Sequence, residues 1–464
     1  VKVRVIPALR GSHRGVGILA AFLLSTATPV FAQAPGVPAP APATPQANAP
    51  APASSAVWPS WLQVHAEHRT RYESVDARYR STETGGDEHF EFRTRLQVRL
   101  SSAHAWAYGE AQDSRITFTD SASTIGISQV LNTHLLQLHA GVGWKDLGAR
   151  KLSLQLEGGR FSRDFGFRRV LSRSIYRNTT NAFDGVIARV GGATWSVQGL
   201  ATRPVLYSYP SLDRDPRFSR LRMGGVYATS TRVRQANADL YALVWRDGRA
   251  APAAIRRELL TVGGRVFGQF GPERRAEYEV EAATQHGEVG GLDHRASFQH
   301  AQAGFNWPAS AWRPRALLIW DYASGDADPT DAKSGAYDLL LGARRFEFGP
   351  MGLHGLLPRS NIISPGVWVI VRPAPPLETG LQVRGMWLAQ ARDRWRSTGL
   401  GSPDGTAGRH LGEQVEWRSR YRFTPHVELD TALTLFEEGR FATTLKPSPH
   451  GRSLHFYAGV EVRY

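Results

Sequence analysis

Residues Leu454 to Tyr464 alternate apolar and polar side chains without a break, and few folds can use such a segment. Leu454, Phe456, Ala458, Val460, Val462 and Tyr464 share one side; His455, Tyr457, Gly459, Glu461 and Arg463 share the other. Successive side chains of a strand point to opposite faces, so this predicts a strand with one apolar and one wet face. The pattern recurs along the chain. In Phe90–Leu100, Phe90, Phe92, Thr94, Leu96, Val98 and Leu100 oppose Glu91, Arg93, Arg95, Gln97 and Arg99. In Val415–Phe423, Val415, Trp417, Tyr421 and Phe423 share a face with Ser419 and oppose Glu416, Arg418, Arg420 and Arg422. Thr379–Trp387 and Val427–Leu435 repeat it.

These stretches run about nine to eleven residues, the length that crosses a bilayer as a tilted strand. A soluble sandwich also alternates, but its wet face is usually short and Ser/Thr-rich. Aromatics gather towards the strand ends (Trp58, Trp61, Trp387, Trp417, Tyr421, Phe423), where membrane interfaces favour them. The expected fold is therefore all-β: a transmembrane antiparallel up-and-down barrel, embedded in the bacterial outer membrane.

The N-terminal region agrees with export. Lys2, Arg4, Arg10 and Arg14 precede an apolar run from Val16 to Ala27, and Val30-Phe31-Ala32 has the small-x-small form of a cleavage site. Residues 1–32 are expected to be a signal peptide, since the apolar run is shorter than the ~20 residues of a spanning helix. Residues 33–57, rich in Ala and Pro, lack the side chains to build a core and read as a disordered periplasmic leader. Residues 58–464 have one texture and form one barrel domain. With no cysteine, the chain has neither disulfides nor thiolate metal sites.

Cleavage after residue 32 removes four cations and no acids from a net charge of +15, leaving +11. An exported chain seldom meets nucleic acid, so this excess implies another anionic partner. At roughly 22 to 25 residues per strand and turn, the barrel region holds 16 to 18 strands, about 18 in all, and such barrels enclose an aqueous channel. The wet faces would then line it. Arg93, Arg95, Arg99, Arg160, Arg384, Arg418, Arg420 and Arg422 are the candidate pore-lining, anion-selecting residues, because guanidinium keeps its charge and fits carboxylate or phosphate. Pairing with Glu91, Glu416, Glu428 and Glu461 would instead make them wall braces.

Several ordered segments resemble the alginate-export family of outer-membrane barrels. They are Gly159-Arg160, Phe165-Gly166, Arg168-Arg169, Asn178 and Ala182-Phe183-Asp184-Gly185; then Asp321-Tyr322-Ala323-Ser324-Gly325-Asp326-Ala327-Asp328-Pro329 and Tyr337-Asp338-Leu339-Leu340. Trp387-Leu388-Ala389-Gln390-Ala391-Arg392-Asp393, Gly412-Glu413-Gln414-Val415-Glu416 and Phe436-Glu437-Glu438-Gly439-Arg440-Phe441 follow, so the likeness covers about residues 61–464. Tyr176 stands where that family usually has Trp, Gln390 and Glu416 stand where it has Glu and Asp, and Arg344-Arg345-Phe346-Glu347-Phe348 departs from its apolar-aromatic wording before Gly352. The resemblance implies an 18-stranded monomeric pore with an electropositive lumen, passing an anionic polysaccharide outward by passive diffusion.

Asp326, Asp328 and Asp331 are spaced like part of a Ca²⁺ loop, but Tyr337 occupies the place of the closing Glu. A solvated loop, or one folded into the lumen with its acids on wall arginines, is therefore the expected form, and structural Ca²⁺ the only cofactor candidate. The basic run from Arg160 to Arg177 suits a constriction, an extracellular anion trap or a loop facing lipopolysaccharide phosphates. No G-x-S-x-G elbow accompanies the histidines (His134, His139, His286, His294 and His300 among them), so the chain is read as a channel rather than an enzyme. A general uptake porin for small anionic solutes is the second reading, and an outer-membrane hydrolase the third. Expected partners are outer-membrane lipid and lipopolysaccharide, an acidic polysaccharide or small anions, the barrel-assembly machinery through the C-terminal strand, and periplasmic export proteins.

Overall fold

The structure, a computed structural model, describes residues 59–79, 85–120, 123, 126, 128–207, 220–233, 235–248, 255–448 and 450–464. The predicted signal peptide, the leader and Trp58 lie outside these residues.

Eighteen long antiparallel strands form one closed wall. They are β1 (Leu62–Val75), β2 (Asp87–Ser101), β3 (Ala105–Thr117), β4 (Leu131–Leu147), β5 (Leu152–Phe161), β6 (Phe183–Gly191), β7 (Trp195–Pro204), β8 (Leu221–Val233), β9 (Ala236–Asp247), β10 (Arg257–Phe270), β11 (Ala276–Val289), β12 (Leu292–Asn306) and β13 (Arg315–Ala323). After a two-residue strand, β14 (Lys333–Ser334), come β15 (Ile362–Ala374), β16 (Leu377–Trp387), β17 (His410–Thr424), β18 (Val427–Glu438) and β19 (Arg452–Arg463). β14 sits inside a long loop against the start of β12 and adds nothing to the wall.

Each wall strand pairs with its sequence neighbours, and β19 returns to β1 from Glu67–Arg463 to Val75–His455. Closure leaves no strand edge unpaired, as a structure surrounded by lipid requires. The alternation works as the sequence predicts, with inside and outside inverted relative to a soluble protein. Along β2, Leu96 and Leu100 are exposed, whereas Asp87, His89, Glu91, Arg93 and Arg95 are buried. Along β10, the outward row runs from Leu260 through Val262 and Val266 to Phe270. At ~3.4 Å per residue and a ~40° tilt, ten residues span roughly 26 Å, the height of a barrel's apolar band.

The two ends of the barrel differ. Hairpins such as Ala374–Leu377 and Thr424–Val427 close one mouth, where β1 begins and β19 ends. At the second of these, Thr424 Oγ1 accepts the His426 and Val427 N–H groups at 3.1 Å each. The other mouth carries the long connections 162–182, 324–361 and 388–409. Its tight exception is β11–β12, where Gly290 and Gly291 take φ 63° and 87°, the positive pair a type I′ turn needs. In outer-membrane barrels the short turns face the periplasm and the long loops the exterior.

Leu240 lies opposite Gly264 on the outer face, midway along the apolar row of β10. Leu240→Arg should therefore cost about 2–4 kcal/mol of barrel stability. Urea unfolding from lipid vesicles measures this, and an undiminished midpoint would place that face away from lipid.

Candidate transport pathway in the barrel lumen

The lumen is not an empty bore. Two long connections fold inward from the outer mouth and are pinned to the wall. The first, residues 162–182, lays its backbone on three arginines of β1 and β2. Arg93 Nη1 donates to the Ile175 carbonyl at 2.6 Å and the Arg177 carbonyl at 3.1 Å. Arg71 Nη1 donates to the Tyr176 carbonyl at 2.7 Å, and Arg69 reaches the carbonyls of Ile175, Tyr176 and Arg177 at 3.1–3.3 Å. The Tyr176 ring stacks under the Arg71 guanidinium, whose carbon lies 4.1 Å from the ring centroid. Asn178 is fully buried; Ser114 Oγ donates to its carbonyl at 2.8 Å and its Nδ2 reaches the Gln129 carbonyl at 2.8 Å.

The second connection, 324–361, carries the short helix α1 (Arg345–Phe348) into the lumen. Gln382 and Gln414, from the wall, donate to the carbonyls of Glu347 and Phe348 at 3.0 Å each. Glu347 and Arg169 tie the two connections together. Arg169 meets Glu279 and Glu281 of β11 and Glu347 of α1, each at 2.5 Å, and Arg359 caps the far oxygen of Glu347. Glu73 of β1 accepts the Leu353 N–H at 2.7 Å and pairs with His455 at 3.1 Å. The third connection lies on top: buried Trp395 donates to the Leu356 carbonyl at 2.8 Å, and Asn361 brackets the backbone of Gln390.

An apolar sector of the inner wall completes the packing. Leu221, Met223, Tyr227, Tyr241, Leu243, Trp245 and Leu259 face inward from β8–β10 against Phe165, Val170 and Leu171 of the first connection. These residues explain why the inner face is not uniformly polar. Part of it is the seat of a packed loop.

The eight candidate arginines therefore divide. Arg93, Arg95 and Arg384 are buried and committed: Arg95 to Glu67 and Glu110, Arg384 to Asp321, Arg93 to Glu67 and the loop backbone. They face the lumen as expected but line no water there; they brace the wall. Arg160 is a correction of another kind. It lies opposite Leu138, an exposed outer-face residue, and opposite Asp184, to which it is bound at 2.7 Å. Residues directly opposite share a face, so Arg160 points outward. Arg99, Arg418, Arg420 and Arg422 remain on the inner face towards the short-turn mouth. Arg99 sits near the Trp106 ring, and the other three pair with Asp430, Glu378 and Glu428.

Sequence reasoning missed Arg69, Arg71, Arg265, Arg345 and Arg359, all buried and each bound to a carboxylate or a loop carbonyl. Arg69 and Arg71 have the parity of Glu67 and Glu73 on β1, so alternation alone could have found them. Arg169 falls in the basic run from Arg160 to Arg177 that suits a constriction, but nothing local marks its three carboxylate partners, and nothing local marks Arg359.

Two buried His–carboxylate groups have ligand atoms within 4.8 Å of one another: Glu73, His89 and Glu91, and His300, Asp321 and Glu347. In both, guanidinium already supplies the counter-charge, from Arg71 in the first and from Arg359 and Arg384 in the second. Asp326, Asp328 and Asp331 do not converge. Asp328 takes the Thr330 hydroxyl and Arg392, and Asp331 caps the Lys333 N–H. The His300–Asp321 pair, at 2.8 Å, has the form of a catalytic dyad, but among the described residues no hydroxyl meets the other ring nitrogen.

Removing Arg169 leaves buried Glu281 with no guanidinium and leaves Glu279 and Glu347 with one each, Arg265 and Arg359. Arg169→Met should therefore loosen both connections and cost about 3–5 kcal/mol. Larger and noisier single-channel currents are the expected readout; unchanged conductance would mean the pinning is not what narrows the lumen. Docking of the second connection also depends on pH. Burial, and then His455, hold the His354 imidazole down at about 3. A released loop would protonate it near its usual 6.5, so docking is intact above that value and weakens progressively below it. Faster protease cleavage within 351–361 at pH 5 than at pH 7.5, abolished in His354→Gln, checks this.

Likeness to other proteins fits the geometry. The wall superimposes on solved outer-membrane barrels at low sequence identity. OccD3 of Pseudomonas aeruginosa matches at 8% identity and TM-score 0.55, covering 87% of this chain and 91% of that one. OccAB2 of Acinetobacter baumannii matches at 9% and 0.56, covering 87% and 98%. OprD of P. aeruginosa matches at 10% and 0.52, covering 87% and 95%. No curated protein matches in sequence. The sequence pattern described as "Alginate export" matches residues 60–454. The chain is an outer-membrane channel-type barrel and belongs to the alginate-export family.

Proposed function

We propose that this barrel prefers anions and passes an acidic polysaccharide of the alginate type outward by diffusion. One observation carries the reading: towards the short-turn mouth, the water-facing ion pairs turn their guanidinium to the lumen and their carboxylate to the wall. Arg422 is 65% exposed beside Glu428 at 19%, Arg463 44% beside Glu461 at 20%, and Arg315 33% beside Glu277 at 9%. Arg418 and Asp430 reverse the order, at 19% and 30%, beneath the plug, and Arg275 and Glu273 reverse it in the β10–β11 turn, at 36% and 59%. A solute entering from the periplasm thus meets positive charge although the pairs are formally neutral.

The strip runs across β15–β19 from Arg372 through Arg420 and Arg422 to Arg463, with Arg99 beyond it on β2. Each site is partly neutralised and therefore weak. Weak sites in series raise the local concentration of a polyanion without trapping it. A uronate chain presents one carboxylate per sugar, and guanidinium binds carboxylate through a planar fork. Beyond the strip the inserted connections fill the lumen, so passage of a polymer requires them to move aside. Their backbone seats on Arg69, Arg71 and Arg93 are contacts that passing carboxylates compete for. The filled section equally favours a second reading, a porin for small anionic solutes.

Planar-bilayer recording separates the two. The reversal potential under a salt gradient should show anion preference, reduced in the Arg420→Ser/Arg422→Ser double variant. Polymannuronate added on the short-turn side should block the current. Anion preference without block would favour small solutes, and a reversal potential indifferent to the double variant would remove the strip from selectivity.

A further inference from the structure

Outside the lumen, one cluster of charge has no counterpart in the transport reading. At the long-loop rim the outer faces of β5 to β9 carry Arg160, Asp184, Arg203, Arg222 and Arg246 in succession. Arg160 and Asp184 satisfy each other, with bonds of 2.7 and 3.1 Å. Arg222 and Arg246 lie directly opposite on paired strands. The β7–β8 ladder ends at Thr202–Met223, and Arg203 and Arg222 are the next residue on each strand. All three are exposed. Asp184 lies opposite Arg203 and Glu258 opposite Arg246, but among the described residues their ion pairs run to Arg160 and Arg256, so the like-charge pair Arg222–Arg246 stands at the centre of the row.

Their outward direction is fixed by their neighbours. Leu221, Met223 and Trp245, one residue away, are buried inside, while Val226 and Val244 share the outer face with the arginines and are exposed. Arg246 stands two residues beyond Val244, about 7 Å above the apolar band. That is headgroup height on the outer leaflet. Like charges directly opposite on neighbouring strands are unfavourable, and more so beside a low-dielectric layer. A bound anion removes that cost.

We propose that Arg203, Arg222 and Arg246 form a binding site for the sugar-phosphate headgroup of the outer-leaflet glycolipid, lipid A. Guanidinium forks grip phosphate monoesters, and the acyl chains of the same molecule would lie down Val226, Leu240 and Val244. A phosphorylated lipid suits this place better than a free anion because the site faces the membrane, directly above the apolar band. The inference rests on the barrel and its orientation, and it stands or falls separately from the choice of cargo.

Native mass spectrometry of the purified full-length protein in detergent micelles, with diphosphoryl lipid A titrated in, tests it. The wild type should retain lipid A and bind monophosphoryl lipid A more weakly. At about fivefold per arginine, Arg203→Gln/Arg222→Gln/Arg246→Gln should weaken binding on the order of a hundredfold. Arg295→Gln, on the outer face of β12 beside Asp293, should change nothing. Heat-modifiable gel migration reports whether the triple variant folds; if it does not, Arg222→Gln alone should still show the fivefold loss. Undiminished binding in the folded variant, equal binding of the monophosphoryl form, or displacement by equimolar inorganic phosphate would each overturn the proposal.

Discussion

Everything in this molecule follows from the need to leave no backbone polar group unpaired in lipid. The ladder between β1 and β19 is where that need is met, because it turns a sheet with two edges into a wall with none. Once the wall is closed, the period-two alternation has a single meaning: apolar rows face lipid and polar rows face the lumen. The chain then confronts a second problem, since polar rows of Arg and Glu are tolerated only where they reach water or one another.

Two solutions are visible along one strand. On β17, exposure rises from Glu416 through Arg418 and Arg420 to Arg422 as the strand descends from the inserted loops to the short-turn mouth. Where loops fill the lumen, charges are desolvated and have to be paired with good geometry, as Arg345–Glu416, Arg384–Asp321 and the Arg169 cluster are. Breaking such a pair costs several kcal/mol, which makes these arginines structural. Where the lumen is open, pairs are screened and contribute little to stability. There the side chain nearer the water sets the field that a solute meets. The same residue type, on the same face, thus does different work according to depth.

Alternation is a local property, and so the barrel, its strand count near 18 and the inward faces of β2, β16, β17 and β19 were legible in the sequence. Parity could also have corrected Arg160, since Leu154 and Leu156 share its side of β5 and face lipid. A constriction at Arg160–Arg177 was among the readings, but the seating of the plug was not legible. The segments that form it read as polar loops, and the contacts that seat them join residues more than a hundred positions apart, as Arg169 and Glu347 do. Tyr176 shows the limit well. Its ring is wedged between Arg71 and Arg345, 4.1 and 5.3 Å from the guanidinium carbons, a role that depends on strands its own segment gives no hint of.

Pinned loops fill the lumen on one side, and on the other it is open with guanidinium foremost. The chain has no cysteine, so a single introduced thiol reports on its own position. The direct measurement is modification of Gln63→Cys, which lies opposite Arg99 at the short-turn mouth, and of Thr180→Cys, buried in the first inserted connection. Anionic and cationic thiosulfonates of equal size are compared. The account predicts that Gln63→Cys reacts faster with the anionic reagent and that Thr180→Cys reacts with neither. Rapid labelling of Thr180→Cys, or faster cationic labelling of Gln63→Cys, would contradict it.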